Sequence, residues 1–349
     1  MKTKHDIDIV RMALGKLYGG GLAEAVDLSP RVSQNAVFDI TLPTGDQMIA
    51  KVSKYGVYRR CLEDHRLIQA WLSQLRTTKY AEFLAHPLTL DDEIFSFFFE
   101  GRWVIFYHKL PYQQFLPSVL NSDQIRAFAK QMALFHHHCL ALSPSLPMPT
   151  YSVVSDMADL VRNVESFGFL SKSEKKIVLS HGKTFLSQVA RCGYHRKLRI
   201  PLLVDWNIGN FSIDEDQYDF KLFSRWDYDW FRVEPSIFDF YFLSRVVSQE
   251  GDKKNFSYLP DCLNETRFHL FLKEYHQYSP LDDDDFLLIP EVYRFFILNY
   301  VIRGGNSFFQ PPLFQRLKDE SFQIYLPRIK DIHCADIFSA SIRDTATRI

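Results

Sequence analysis

Apolar residues recur with two different periods along this chain of 349 residues. The change of period divides it. In residues 32–52 two apolar runs flank Pro43-Thr44-Gly45-Asp46, with Val37, Phe38 and Ile40 before the turn and Met48, Ile49 and Val52 after it. Two β-favouring runs around a short polar turn predict a β-hairpin. Leu62, Leu67, Ile68, Trp71, Leu72 and Leu75 then repeat at near-helical spacing while Glu63, Asp64 and Arg66 take other faces, which predicts an amphipathic helix over residues 61–75. Extended stretches follow over 93–99 and 103–107, separated by Glu100-Gly101-Arg102 and ending before Leu110-Pro111-Tyr112. Residues 1–110 therefore predict an antiparallel sheet with one helix.

Beyond Pro111 the texture lengthens. Helical patterns cover 122–140, 152–167, 171–190, 235–250, 263–275 and 290–302, and short extended runs cover 202–205, 211–213 and 218–223. The expected architecture is α+β, with a small N-terminal lobe over 1–110 and a larger, mainly helical lobe over 111–349. The acidic run Asp282 to Asp285 reads as a solvated cap before a helix, since carboxylates complement the positive end of a helix dipole. There is no internal repeat, heptad series or low-complexity linker.

Composition narrows the function class. Hydrophobic residues make up 46% and charged residues 24%, the ordinary range of a folded soluble domain. With 41 basic and 42 acidic residues the formal charge is −1, so no global field draws in polyanions, and neither nucleic acid nor a membrane surface is expected as a partner. The 31 Phe and 17 Tyr are expected to fill large cores. Five cysteines, an odd number without CxxC spacing, argue against a disulfide framework and a structural zinc site. Together with an N-terminus lacking the apolar core of a signal peptide, they place the expected location in the cytoplasm. His136-His137-His138 invites a metal reading, but successive helical residues point about 100° apart, so three neighbours cannot reach one ion. The basic residues between Arg191 and Arg199 read as a solvated loop.

The candidate chemistry lies in one segment. It reads Leu203-Val204-Asp205-Trp206-Asn207-Ile208-Gly209-Asn210, then Trp226-Asp227-Tyr228-Asp229, then Pro235-Ser236-Ile237-Phe238-Asp239. Phosphoryl transfer needs a carboxylate to orient the attacking hydroxyl and oxygen donors to hold a metal on the nucleotide phosphates. Asp205 fits the first role, and Asn210 with Asp227 the second. A lone Asp and Asn five apart is weak evidence, and turn-forming residues explain it as readily. Here the aspartate follows an apolar strand-like run, Gly209 permits a turn, and Asn210 leads into another run, so both side chains would converge on one end of a sheet. Asp227 and Asp229, two apart on expected extended chain, would point the same way.

This ordered set resembles the aminoglycoside phosphotransferase and choline kinase superfamily, whose catalytic loop usually reads His-Gly-Asp-x-x-x-x-Asn and whose metal strand resembles Ile-Asp-Phe-Asp-Asp followed by Pro, an apolar pair and Asp. The resemblance spans most of the chain and implies a bilobal, protein-kinase-like fold. It implies ATP and Mg2+ as cofactors, Asp205 as the catalytic residue, Asn210 and Asp227 as metal ligands with Asp229 beside them, and Asp239 as a brace for the loops. In the first lobe Ser33, Asn35 and Lys51 resemble the hairpin over nucleotide phosphates, with Glu63 as the counter-charge of Lys51 and Asp64 and Glu82 as alternatives; Leu110 would begin the segment that meets adenine. No GxxxxGK[ST] loop is present, so a P-loop fold is not supported. The chain departs from the family at Leu203, where the histidine is missing, and at Ser224-Arg225-Trp226 before the metal strand. The expected activity is ATP-dependent phosphorylation of a hydroxyl on a small molecule such as an amino alcohol, aminoglycoside or sugar. The alternatives are a catalytically inactive pseudokinase and a protein Ser/Thr kinase.

Overall fold

A computed structural model describes residues 2–19, 22–216, 219–250 and 256–333. The described residues fall into two units: one within Met1–Tyr112 with Ser224–Trp226 and Gly304–Gln315, the other within Gln113–Phe223, Asp227–Arg303 and Arg316–Ile349.

In the first unit the hairpin forms as strands β2 (Ala36–Thr41) and β3 (Gln47–Ser53), after an edge strand β1 (Glu24–Asp27) that is exposed throughout. Leu42 and Asp46 close the turn, and Gly45 takes a φ of 90°, where a residue with a Cβ would be strained. A small hairpin of β4 (Thr89–Leu90) and β5 (Glu93–Ile94) is followed by β6 (Ser96–Phe99) and β7 (Arg102–His108). The main sheet is antiparallel, in the order β1-β2-β3-β7-β6. Alternation sorts its two faces: Met48, Ala50 and Val52 of β3 join Val104 and Phe106 of β7 in one core, while Lys51 stands opposite Ile105 and faces the other way.

The expectation of one helix in this unit needs correction. Helix α1 (Lys2–Tyr18) covers the first face with Ile9, Val10, Ala13 and Leu14, all fully buried, and Asp6 is tied by an ion pair to Arg102 of β7. Helix α2 (Tyr58–Leu75) serves the Lys51 face, where the Tyr58 ring lies 5.8 Å from Trp103 and His65 is hydrogen-bonded to the Tyr107 hydroxyl at 2.6 Å.

The second unit is mainly helical: α3 (Ser122–Leu142), α4 (Val153–Asn163), α5 (Lys172–Arg191), α6 (Phe240–Val247), α7 (Thr266–Tyr278) and α8 (Asp283–Phe295). Asn121, Ser152, Ser171 and Asp282 each cap a helix through reciprocal side-chain bonds to the first turn. Two boundaries differ from expectation. The 235–250 pattern divides into a 3-10 turn (Ser236–Asp239) and α6, and the last pattern begins at Asp283, so that Pro290 lies inside α8. The Asp282 cap starts that helix early enough to outlast one missing N–H. A π-helical stretch, Phe296–Arg303, continues it; the short α9 (Gly305–Phe308) and the start of α10 (Pro311–Glu320) that follow belong to the first unit, and α10 returns to the second at Arg316. Strands β8 (Ile200–Leu202), β9 (Phe211–Glu215), β10 (Phe220–Arg225) and β11 (Arg232–Glu234) form two small sheets, β10-β9 and β11-β8. Tyr218, expected to open the third of the short strands, lies outside the described residues.

Candidate active site

Strand β8 pairs with β11, Leu202 opposite Arg232, and brings the chain up to Asp205. The expected strand through 205 stops at Leu202. Val204 adopts a φ of 57°, and successive turns close through Asp205 N–H to Leu203 O at 2.6 Å and Trp206 N–H to Val204 O at 3.0 Å. A β-branched residue in this region is a genuine outlier, and it persists only when its surroundings hold it. Asp239, fully buried at the end of the 3-10 turn before α6, does so. Its Oδ1 accepts from Val204 N–H at 2.9 Å, and its Oδ2 from Trp206 Nε1 at 2.7 Å and His136 Nε2 at 3.0 Å. His136 Nδ1 is hydrogen-bonded to the Tyr275 hydroxyl at 2.8 Å. With hydrogen on Nε2, the imidazole donates to Asp239 and accepts from Tyr275.

Asp205 is 8% exposed. Its Oδ1 receives the Asn207 N–H at 3.4 Å, and its carbonyl receives Asn210 Nδ2 at 3.2 Å. A 3-10 turn (Ile208–Asn210) lies between, so Asp205 and Asn210 belong to one hydrogen-bonded loop that delivers the chain into β9.

Asp227 and Asp229 are not on extended chain. Asp227 has a φ of 76° and its Oδ1 accepts the Asp229 N–H at 2.9 Å. A short acceptor side chain bonding its own backbone two residues on makes the left-handed conformation tolerable for aspartate. Just before it, Arg225 is fully buried, donating its N–H to Phe83 O at 2.6 Å and accepting from Ala85 N–H at 3.0 Å, so the unexpected Ser224-Arg225-Trp226 run belongs to the first unit. As donors, one amide and two carboxylates are all hard oxygen ligands. Among the described residues no group of three or more His, Cys, Asp or Glu could hold a metal ion.

In the first unit, Lys51 and Ser53 share a face of β3, and Ser53 Oγ donates to Asn35 Oδ1 at 2.8 Å, which sets Asn35 on the lysine side of the sheet. The charge of Lys51 also reaches His65 of α2. Burial, with that charge adding to it, pushes the His65 pKa down to about 4, while its Nδ1 is hydrogen-bonded to Cys61 O at 2.8 Å. His65 escapes the sequence reading, which looks for a carboxylate there; its signal is a polar residue on the apolar stripe of α2. Glu63 is half-buried on the same helix, Ser33 is 3% exposed, and Leu110 follows the end of β7.

Lys197, in the basic loop, bonds Asp282 and lies 2.8 Å from Asp285, and these bonds raise its pKa against the effect of burial. A cavity of about 10 Å3 beside Val204, lined by Arg232, Phe238 and Tyr300 among others, has room for a water and not for an acceptor.

No protein-family model and no curated protein matches the chain. Solved structures do. A microcompartment-associated aminopropanol kinase matches with a TM-score of 0.61 at 14% identity, over 96% of this chain and 98% of its own. Amicoumacin kinase, in complex with AMP-PNP, Ca2+ and Ami, gives 0.57 at 16% identity over 93% and 96%. Choline kinase LicA from Streptococcus pneumoniae gives 0.54 at 13% identity over 91% and 98%. At these identities the likeness is one of fold, and the chain shares the α+β, protein-kinase-like fold of these solved kinases.

Proposed function

We propose that this protein is an ATP-dependent phosphotransferase that moves the γ-phosphate to the hydroxyl of a small molecule. The observation that carries the reading is the loop from Asp205 to Asn210, closed by the Asn210 Nδ2 bond to Asp205 O and braced through Val204 and Trp206 by the buried Asp239. Asp205 orients the acceptor hydroxyl and takes its proton as the new P–O bond forms and the γ-phosphate leaves ADP. Asn210 and Asp227, with Asp229 beside them, would hold Mg2+, which when bound would supply positive charge to the nucleotide phosphates. Lys51 binds the nucleotide phosphates, with Glu63 as its counter-charge, and Ser33 and Asn35 belong to the loop that covers them. Leu110 contacts adenine. Phosphoryl transfer asks little covalent chemistry of a protein, so a pre-set loop is what it must supply. The similar structures are named for aminopropanol, choline and aminoglycosides, alcohols that also carry nitrogen, which supports an amino alcohol or aminoglycoside ahead of a plain sugar. Among the described residues no helix is long and apolar enough to cross a membrane.

The test is Asp205→Asn, which keeps shape and removes charge. Phosphorylation of a metabolite pool with labelled ATP, followed by mass, identifies the acceptor. The variant should bind Mg2+-ATP as the parent does and lose turnover by about a hundredfold or more, the scale for a positioned general base. A parent that binds nucleotide yet neither phosphorylates any metabolite nor hydrolyses ATP slowly would make the protein a pseudokinase.

A further inference from the structure

The loop that carries Ser33 and Asn35 is held by a segment nearly the whole chain away. Gln34 N–H donates to Phe308 O at 2.6 Å, and its side-chain Nε2 donates to Asn306 O at 2.8 Å and Phe309 O at 2.6 Å. In return Gln310 N–H donates to Val32 O at 3.0 Å and Gln310 Nε2 to Ser33 O at 2.6 Å, and Ser33 pairs with Phe309 as an antiparallel bridge. The Tyr55 and Phe308 rings meet edge to face at 5.0 Å. The segment is itself tightly folded, since a Cβ on Gly305 would come within 2.9 Å of Phe314 and 3.1 Å of Phe309. All of these residues lie in the first unit.

We infer that residues 304–310 form a strap that latches the Ser33–Asn35 loop through Gln34 and Gln310, and that a nucleoside triphosphate binds by displacing it. This rests on the proposed function. Phosphate groups are bound by backbone N–H and hydroxyl donors in such loops. In the latched state Ser33, Gln34 and Asn35 are 3%, 7% and 4% exposed, the Gln34 N–H is committed to Phe308 O, and the Ser33 hydroxyl is buried with no hydrogen-bond partner among the described residues. A buried hydroxyl without a partner is unfavourable, and donation to a phosphate oxygen would relieve it. Strap and nucleotide therefore compete for the same loop, and the strap lowers nucleotide affinity.

Calorimetric titration of Mg2+-ATP into the full chain tests this with Gln34→Ala, Gln310→Ala and the double variant. Each single variant should bind about threefold to tenfold more tightly than the parent, the equivalent of the one or two net hydrogen bonds removed, and the double variant more tightly still. In the parent, amide exchange at residues 306–310 should quicken when nucleotide is added, a readout that does not depend on any variant folding. Unchanged or weaker binding in the folded variants, or slower exchange in that segment with nucleotide, overturns the strap while leaving the phosphotransferase reading in place. Absence of nucleotide binding by parent and variants alike removes that reading and the strap with it.

Discussion

Replacing Asp239 tests how the candidate loop is held. Its carboxylate is fully buried and accepts three hydrogen bonds, from Val204 N–H, Trp206 Nε1 and His136 Nε2. Alanine at this position leaves all three donors without an acceptor in a place water does not reach. Each orphaned buried donor costs about 1–3 kcal/mol, and release of the carboxylate's own desolvation offsets part of the sum. The expected loss is about 3–5 kcal/mol, a large share of the roughly 5–15 kcal/mol that a domain has. Asp239→Asn keeps the volume but turns one acceptor into an NH2 group that must face a donor, so it should lose about 2 kcal/mol. Urea unfolding followed by tryptophan fluorescence gives both values, with an unchanged m-value showing that the native state is intact. Because Val204 is released, turnover should fall further than the fraction unfolded explains. A loss below about 1 kcal/mol for Asp239→Ala, or an asparagine variant as stable as the parent, would refute the brace.

Two further outcomes follow from the backbone and from charge. Ala normally outranks Gly, but at Val204, with φ at 57°, Val204→Gly should keep about 1 kcal/mol more stability than Val204→Ala in urea unfolding; the usual order would mean that no left-handed turn exists there. The folded pKa of His65, about 4, lies below its ordinary value of 6.5, so the unfolded chain binds the extra proton in that window and stability falls as pH drops through it. The total is about 3 kcal/mol. His65→Gln should remove that share of the acid loss, leaving the similarly lowered His181, and parallel pH profiles for variant and parent would sink the assignment.

What the sequence made legible was local. Alternation around Pro43-Thr44-Gly45-Asp46 is enough to predict the hairpin, because register there follows from a short turn and one buried face. The brace at Asp239 was legible too, because the resemblance implies it and its carboxylate does accept from Val204 N–H and Trp206 Nε1. Long-range pairings were hidden. Asp6 and Arg102 break the polarity pattern of α1 and β7 and make sense only as partners, which is why α1 escapes a reading by periodicity. Gln34 and Gln310 look like ordinary surface glutamines until the fold sets them side by side. Backbone conformation was hidden too: nothing in Val-Asp or in Trp-Asp-Tyr-Asp announces a positive φ at Val204 or Asp227.

Val204 also bears on whether the departures from the family pattern weaken the site. Leu203 and Val204 stand where the pattern has histidine and glycine, and glycine is the residue that takes a left-handed turn without strain. Valine there costs about 1–3 kcal/mol of backbone strain. Two features offset it: the Val204 N–H is paired with Asp239, and Val204 is 4% exposed, lining a small cavity together with Phe238, Tyr241 and Phe296. Burying a valine contributes about 1.5–3 kcal/mol, comparable to the strain. The turn before Asp205 is thus kept by other means, and His136, brought in from α3, shares Asp239 with it. Leu203 and Val204 shape the loop from behind, through the Asp205 N–H bond to Leu203 O and the Val204 N–H bond to Asp239, while Asp205 and Asn210, the groups in that loop proposed to meet acceptor and metal, are retained. That distribution is what an active phosphotransferase with a rebuilt scaffold would show, whereas a pseudokinase is free to lose the groups themselves.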